Sequence, residues 1–267
     1  MYDMLRKVCK RIYDDFFRKS RLVLYEKMLK DAIDNKYQFY TIEDFNKLIV
    51  QKALDDSIKY AIIRHDIDTD PLTAFEFFKI EKKYNIKSTY YFRLSTIDKK
   101  IIAEISNFGS EVSYHYEEIA SYAKAYRLKS RSSIEEHLDR IREKFINNLV
   151  RFRTELNVDS VTVASHGDFV NKYLGIANYY LINDDTRIKG NIELEAYDDS
   201  FMKFVTSRIA DLGVVEGLWT PRGFYESIRS QEKVLYILIH PRQWYSRIFA
   251  NVNEELKRVY EGLKYKI

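Results

Sequence analysis

Cysteine is almost missing from this chain: 267 residues contain only Cys9, so no internal disulfide can form and a reducing compartment suits it. Glycine (8) and proline (3) are also scarce, which excludes collagen-like and Pro/Gly-rich disordered classes. No run approaches the roughly 20 apolar residues of a membrane-spanning helix. The segment Met1 to Ser20 alternates charged and apolar side chains and lacks the apolar core of a signal peptide. Charge of one sign is lacking too. A formal net charge of +4 permits an acidic sugar or phosphate ligand but is too weak a field for a nucleic-acid binder. The expectation is therefore a cytoplasmic protein with no nucleic-acid partner and no transmembrane segment. What the chain does have is a hydrophobic fraction of 46%, enough for a sizeable core. Its 22 tyrosines accompany a general excess of Lys, Ile and Asn; nucleotide composition accounts for such a bias, so the tyrosines are not read as a sugar-binding platform.

The chain is organised around Tyr60-Ala61-Ile62-Ile63-Arg64-His65-Asp66-Ile67-Asp68. The apolar run, bounded by Asp55-Asp56-Ser57 and Asp70-Pro71, predicts a buried strand followed by a helix with proline in its first turn. Asp66 and Asp68 stand two residues apart, so an extended backbone turns both carboxylates to one side, within reach of a common ion or water. Two readings are open at this point: an acidic turn that caps the next helix, or the chemistry-bearing mouth of an α/β enzyme.

Before this strand the pattern is helical. Met4, Leu5, Val8, Ile12, Phe16 and Phe17 mark one amphipathic helix, a docked cap or an element touching an anionic membrane. A second covers about 22–35, and Thr41-Ile42-Glu43-Asp44 opens a third that runs through Ala53. Residues 1–57 thus form a helical N-terminal extension, and 58–267 a single catalytic domain. In the latter, strands are predicted at Lys87 to Leu94, Ser110 to His115, Asp159 to Ala164, Phe204 to Ala210 and Val234 to Ile239, with helices between them. One long helix is expected at about 133–156, with His137 on its polar flank. Residues 171–200 read as irregular, with a short strand at Tyr179-Tyr180-Leu181-Ile182. A last amphipathic helix covers about 249–264.

Placement carries the functional signal. Of five histidines, His65, His115, His166 and His240 each stand at the C-terminal end of a predicted strand, and Asp66, Asp68 and Asp211 do likewise. In a barrel of alternating strands and helices those ends converge on one mouth. A mixed His/Asp donor set points to one borderline divalent ion, with zinc the first choice and nickel, cobalt, manganese or iron the others.

These residues resemble the polysaccharide deacetylases, carbohydrate esterase family 4 or NodB-homology domain, from about Tyr60 to Trp244 and in matching order. Arg64-His65-Asp66-Ile67-Asp68 is similar to the first motif, which implies Asp66 as catalytic base and Asp68 as metal ligand. Glu111-Val112-Ser113-Tyr114-His115 resembles the second, which implies His115 as a ligand. Leu238-Ile239-His240-Pro241 resembles the last, which implies His240 as general acid, with Asp211 in the place of the residue that orients it. The resemblance implies a distorted (β/α)7 barrel that removes an acetyl group from an N-acetylated sugar or glycan precursor. Arg64-His65-Asp66-Ile67-Asp68 and His166-Gly167 also resemble the motifs of uncharacterised intracellular members.

Two departures matter. Ile119 stands where the family has its second metal histidine, four residues after His115, and Ala164-Ser165-His166-Gly167 replaces the motif whose arginine positions the base. The expected substitute ligand is His166, completing Asp68, His115 and His166, with Glu117 or Glu118 the alternatives. Arg93 is the candidate for the missing arginine and for substrate binding, against a plain surface cation. His65 is read as a histidine that supports a metal ligand from behind or packs in the core. Trp219 and Trp244 are placed to stack on a sugar ring or to pack in the rim. The competing functions are a non-catalytic barrel that binds a glycan or protein, motivated by Ile119 and the missing motif arginine, and a hydrolase of another non-peptide carbon–nitrogen amide bond.

Overall fold

The computed structural model describes Tyr13 and residues 19–211, 222–245 and 247–266. The N-terminal amphipathic segment and Trp219 lie outside the described residues.

Strand β2 (Lys59–Ile67) pairs with three others, β1 (Tyr37–Tyr40), β3 (Thr89–Phe92) and β8 (Val234–Ile239), in an all-parallel sheet. The remaining strands are β4 (Glu111–Tyr116), β5 (Thr162–Ser165), β6 (Leu194–Glu195) and β7 (Ser207–Ala210). Seven strands run in the order β6-β5-β4-β3-β2-β8-β7, and β1 adds to β2 off this path. Parallel neighbours need long crossovers, and helices supply them: α3 (Pro71–Lys83), α4 (Lys99–Phe108) and α7 (Leu138–Leu156) among them.

The period of two along each strand sorts residues between the two faces. Tyr60 and Ile62 of β2, Tyr91 of β3, Ala164 of β5, Leu194 of β6, and Val234, Tyr236 and Leu238 of β8 share one core cluster. Strands from both ends of the path meet in that cluster, so the sheet curls into a distorted, open (β/α) barrel with an inside. The alternate residues face the helices. Ala61, Ile63, Leu235, Ile237 and Ile239 pack in a second cluster with α3 and α1 (Leu22–Asp34), and Tyr90, Phe92, Val112, Tyr114 and Tyr116 in a third.

The segment before β2 is not wholly helical. Tyr37–Tyr40 forms β1, pairing with Lys59–Ile62 on the edge of β2 that β3 occupies further along, from Arg64 to Ile67. Four residues, two of them tyrosine, carry too short a signal for periodicity to separate strand from loop. Helix α2 (Ile42–Val50) then buries Ile42 and Phe45 in the barrel's inner cluster. Thr41 caps it, its Oγ1 accepting from the Asp44 N–H at 3.0 Å. Pro71 opens α3 behind the Asp70 cap.

Two other expectations change. The 133–156 helix is broken: α6 (Arg131–Glu135) stops, and α7 restarts after His137, whose ring Nδ1 donates to the Ser133 carbonyl at 2.8 Å. Residues 178–181 form a 3₁₀ turn rather than a strand. Between the turn and β7 lie α9 (Asp184–Gly190), β6 and α10 (Asp199–Met202), with α8 (Phe169–Leu174) preceding the turn. Helix α12 (Ile248–Lys266) ends the chain.

Candidate metal centre and active site

Inward parity continues past the strand ends. On β2 it selects Arg64, Asp66 and then Asp68; on β4, β5 and β8 it selects His115, His166 and His240. Those side chains meet at the mouth of the barrel.

Asp68, His115 and His166 form a cluster whose donor atoms lie within 4.8 Å of one another. Asp68 Oδ1 is 3.3 Å from His115 Nε2 and 3.1 Å from His166 Nδ1, and the two ring nitrogens are 3.3 Å apart. His115 Nδ1 lies 3.0 Å from the Ala164 carbonyl. That oxygen only accepts, so Nδ1 carries the proton and the Nε2 lone pair of neutral His115 points into the cluster. A backbone acceptor on the second ring nitrogen is the usual support of a metal-ligating histidine. Asp68 Oδ1 is buried and makes no hydrogen bond. An orphaned carboxylate oxygen beside two imidazole nitrogens is a site that lacks positive charge. The three residues can hold a divalent metal, and one oxygen with two nitrogens suits a borderline ion. The neighbouring histidines hold the Asp68 carboxyl well below the usual carboxylate range against the opposing effect of burial.

Ile119 is fully buried in the apolar layer outside the sheet, and β5 brings His166 to the mouth beside His115. Neither glutamate alternative joins the cluster. Glu117 is bound by Arg93 through Nε and Nη2 at 2.8–3.1 Å. Glu118 points outward to Tyr114 and to Asn148, 2.9 Å away.

Asp66 is held from below. Arg64 Nε donates to Oδ1 at 2.7 Å and Nη2 to Oδ2 at 2.8 Å, a bidentate fork between residues i and i+2 of one strand. Arg64 is 0% exposed. Its Nη1 reaches the Tyr236 hydroxyl at 3.1 Å, and its guanidinium lies over the rings of Tyr197 and Tyr91. Burial raises the Asp66 pKa, but Arg64, with His115 and His240, lowers it further, so the net shift is downward. Arg93 does not touch Asp66: besides Glu117 it donates to the Asp68 carbonyl at 2.7 Å. The contact with Asp66 that was expected of Arg93 is made by Arg64. The signal was present in the sequence, since Arg64 shares the inward parity of Asp66.

The opposite wall is His240. Asp211 Oδ1 lies 2.7 Å from its Nδ1, Asp211 Oδ2 accepts from the His240 backbone N–H at 2.6 Å, and Trp244 Nε1 donates to the same oxygen at 2.9 Å. Trp244 is thus a buried support and not a sugar platform. Burial alone would lower the His240 pKa, but Asp211, Asp68 and Asp66 outweigh it and push it up to about 9. With Nδ1 given to Asp211, Nε2 faces Asp66 Oδ2 at 3.8 Å. His115 Nε2 approaches the same Asp66 oxygen at 3.6 Å. The arrangement is one carboxylate, one protonated imidazole and a three-ligand cluster around a common space.

His65 belongs to the other face. It stacks on Tyr90 with ring centroids 4.5 Å apart, and its Nε2 lies 2.6 Å from Glu81. Glu81 also accepts from Ser88 and Tyr90 at 2.5 Å and from Tyr25. This is a polar knot in the core between sheet and helices.

No protein-family model matches the sequence, and neither does any curated protein. Among the described residues no helix is long and apolar enough to cross a membrane. Two solved structures are similar to this chain. Streptococcus pyogenes deacetylase PplD, in complex with acetate, is 14% identical, with 82% of this chain and 80% of that chain covered and a TM-score of 0.40. A mutant of the peptidoglycan deacetylase PdaC from Bacillus subtilis is 15% identical, with 79% of this chain and 87% of that chain covered and a TM-score of 0.37.

Proposed function

We propose that this chain is a metal-dependent amidohydrolase that removes the acetyl group from an N-acetylated sugar or glycan precursor. The observation that carries the reading is the convergence of the Asp68–His115–His166 cluster with Asp66 on one side and the Asp211-held His240 on the other. A divalent ion on the three ligands, zinc being the first choice, would polarise the acyl oxygen and make water a nucleophile near neutral pH.

The remaining work falls to the chain's own groups. Asp66, fixed by the Arg64 fork, accepts the proton that the attacking water loses. Its lowered pKa keeps it ionised at neutral pH. His240 Nε2 gives a proton to the departing amine nitrogen, without which the C–N bond does not break readily. Asp211 holds that imidazole protonated and turned into the site, and Trp244 in turn fixes Asp211. The mouth is a crevice in which Asp68 keeps about a quarter of its side chain exposed (27%) while Asp66 keeps 4%. An acyl group can therefore enter from above while the base stays dry.

The test is acetate release from N-acetylated sugars by the metal-loaded protein, with Asp66→Asn and His240→Ala in parallel. Each variant is expected to keep its metal and to turn over ~10²–10⁴-fold more slowly. Wild-type rates in both variants would exclude this acid–base pair.

A further inference from the structure

Helix α12 is inside out. It follows the rim of the mouth and is fastened there by charged pairs, each beside a strand end that supplies a candidate site residue. Arg247, just before the helix, meets Asp70 at 3.2 Å, two residues after Asp68. Glu254 lies 3.8 Å from Arg93, which itself binds the Asp68 carbonyl. Glu255 meets Arg242 at 2.8 Å, two residues after His240. Glu261 meets Lys124 at 2.7 Å, and Lys124 holds Asp168, two residues after His166, at 2.9 Å.

The opposite face is apolar. Phe249, Val252, Leu256, Val259, Tyr260 and Leu263 fall in an arc of about 100° at 3.6 residues per turn. All six are exposed, Phe249 by 89%, Leu256 by 64% and Leu263 by 58%. At the far end, on the barrel-facing side of the helix, buried Tyr265 packs edge-on against Phe169 and Tyr173, which are exposed. The three acidic residues of α12 are all paired towards the barrel, whereas exposed Lys257 and Lys264 flank the stripe and form no ion pair among the described residues.

We infer that α12 is an interfacial membrane helix, which seats the mouth on an anionic lipid surface. An apolar arc that carries Phe249 and Tyr260 and has lysines along one edge, on a helix too polar to span, is the composition that lies in a headgroup layer. With the acids paired inward and Arg258 held by Glu255, Lys257 and Lys264 are left beside the stripe without an ion pair among the described residues, which complements anionic lipid. The same placement disfavours a second copy of this chain, because antiparallel pairing through the stripe would set the Lys257/Lys264 edge against itself. Resting on the deacetylase reading, the inference narrows its substrate class to an N-acetylated sugar carried on a lipid, presented from the surface the helix touches.

The experiment is sedimentation of the full chain with phosphatidylcholine vesicles and with vesicles that also contain phosphatidylglycerol. Binding is expected to the mixed vesicles. Each lysine near an anionic surface is worth about fivefold, so Lys257→Gln with Lys264→Gln should weaken binding roughly 25-fold and Leu256→Asp should weaken it further. Both lysines are exposed and pair with none of the proposed catalytic groups, so hydrolysis of a soluble N-acetyl sugar should be unchanged. Absence of vesicle binding, equal binding by the lysine variant, or a dimer in light scattering that Leu256→Asp converts to monomer would each overturn the inference. Those results leave the deacetylase reading standing. Intact vesicle binding without acetate release from either soluble or lipid-carried sugar overturns that reading and the substrate class, but not the membrane face.

Discussion

Arg64→Met tests the buried fork that holds Asp66. The substitution keeps an unbranched side chain of similar reach, but it removes both hydrogen bonds to the carboxylate, at 2.7 and 2.8 Å, and leaves Asp66 in a site where it is 3% exposed. Removing one partner of a buried ion pair costs about 3–5 kcal/mol, because the survivor is an uncompensated charge. The sign of the pH dependence follows from Asp66. In wild type its folded pKa is depressed, so it contributes stability that is present above the unfolded-state pKa and lost as pH falls through the folded value. Without Arg64, burial becomes the dominant influence on Asp66, and the variant gains from protonating it. The stability gap between wild type and variant should therefore be largest at neutral pH and close in acid. Urea unfolding of the metal-free proteins at neutral and mildly acidic pH measures it. The double variant Arg64→Met, Asp66→Asn should recover much of the loss, since removing both partners leaves no stranded charge. A gap below about 1 kcal/mol at neutral pH, within the range of an exposed pair, or a gap that does not change with pH, would refute the account of Arg64.

Asp211→Asn should lower the His240 pKa from about 9, so the high-pH fall in turnover moves to lower pH. Sign and window agree in stability too: the raised His240 pKa contributes stability fully present below about 6.5 and lost as pH rises through about 9, and the variant should lack that dependence. Glu81→Ala strands the donors of Tyr25, His65, Ser88 and Tyr90, and thermal unfolding should register a loss of 3 kcal/mol or more, on the order of a broken buried network. Metal content of that variant should be unchanged at temperatures where it is folded, because the knot lies on the outer face of the sheet.

Much of the site was legible because strands impose a period of two. Once Tyr60–Asp68 is a strand, Asp66 and Asp68 must share a face, and the histidines that end β4, β5 and β8 must share a mouth. The approach of His166 to His115 needed only neighbouring strands, which the sheet order provides. Arg64 does not stand out in the sequence because a fully buried arginine is rare, and its burial is tolerable only through Asp66, Tyr236 and the flanking rings. The strand β1 was hidden in four residues, and the break at His137 falls within a continuous apolar stripe. The course of α12 along the rim was out of reach, because its amphipathic pattern states that one face is apolar but not which way that face turns.

The central claim is that Asp68, His115 and His166 together hold one metal ion. Elemental analysis of purified wild type, Asp68→Ala, His115→Ala and His166→Ala, each after dialysis against zinc and then metal-free buffer, tests it most directly. The account predicts about one ion per wild-type chain, in keeping with a three-ligand zinc site, and a substantial loss in all three variants, each with unfolding still cooperative. Wild type without retained metal, or His166→Ala retaining as much as wild type, would contradict it.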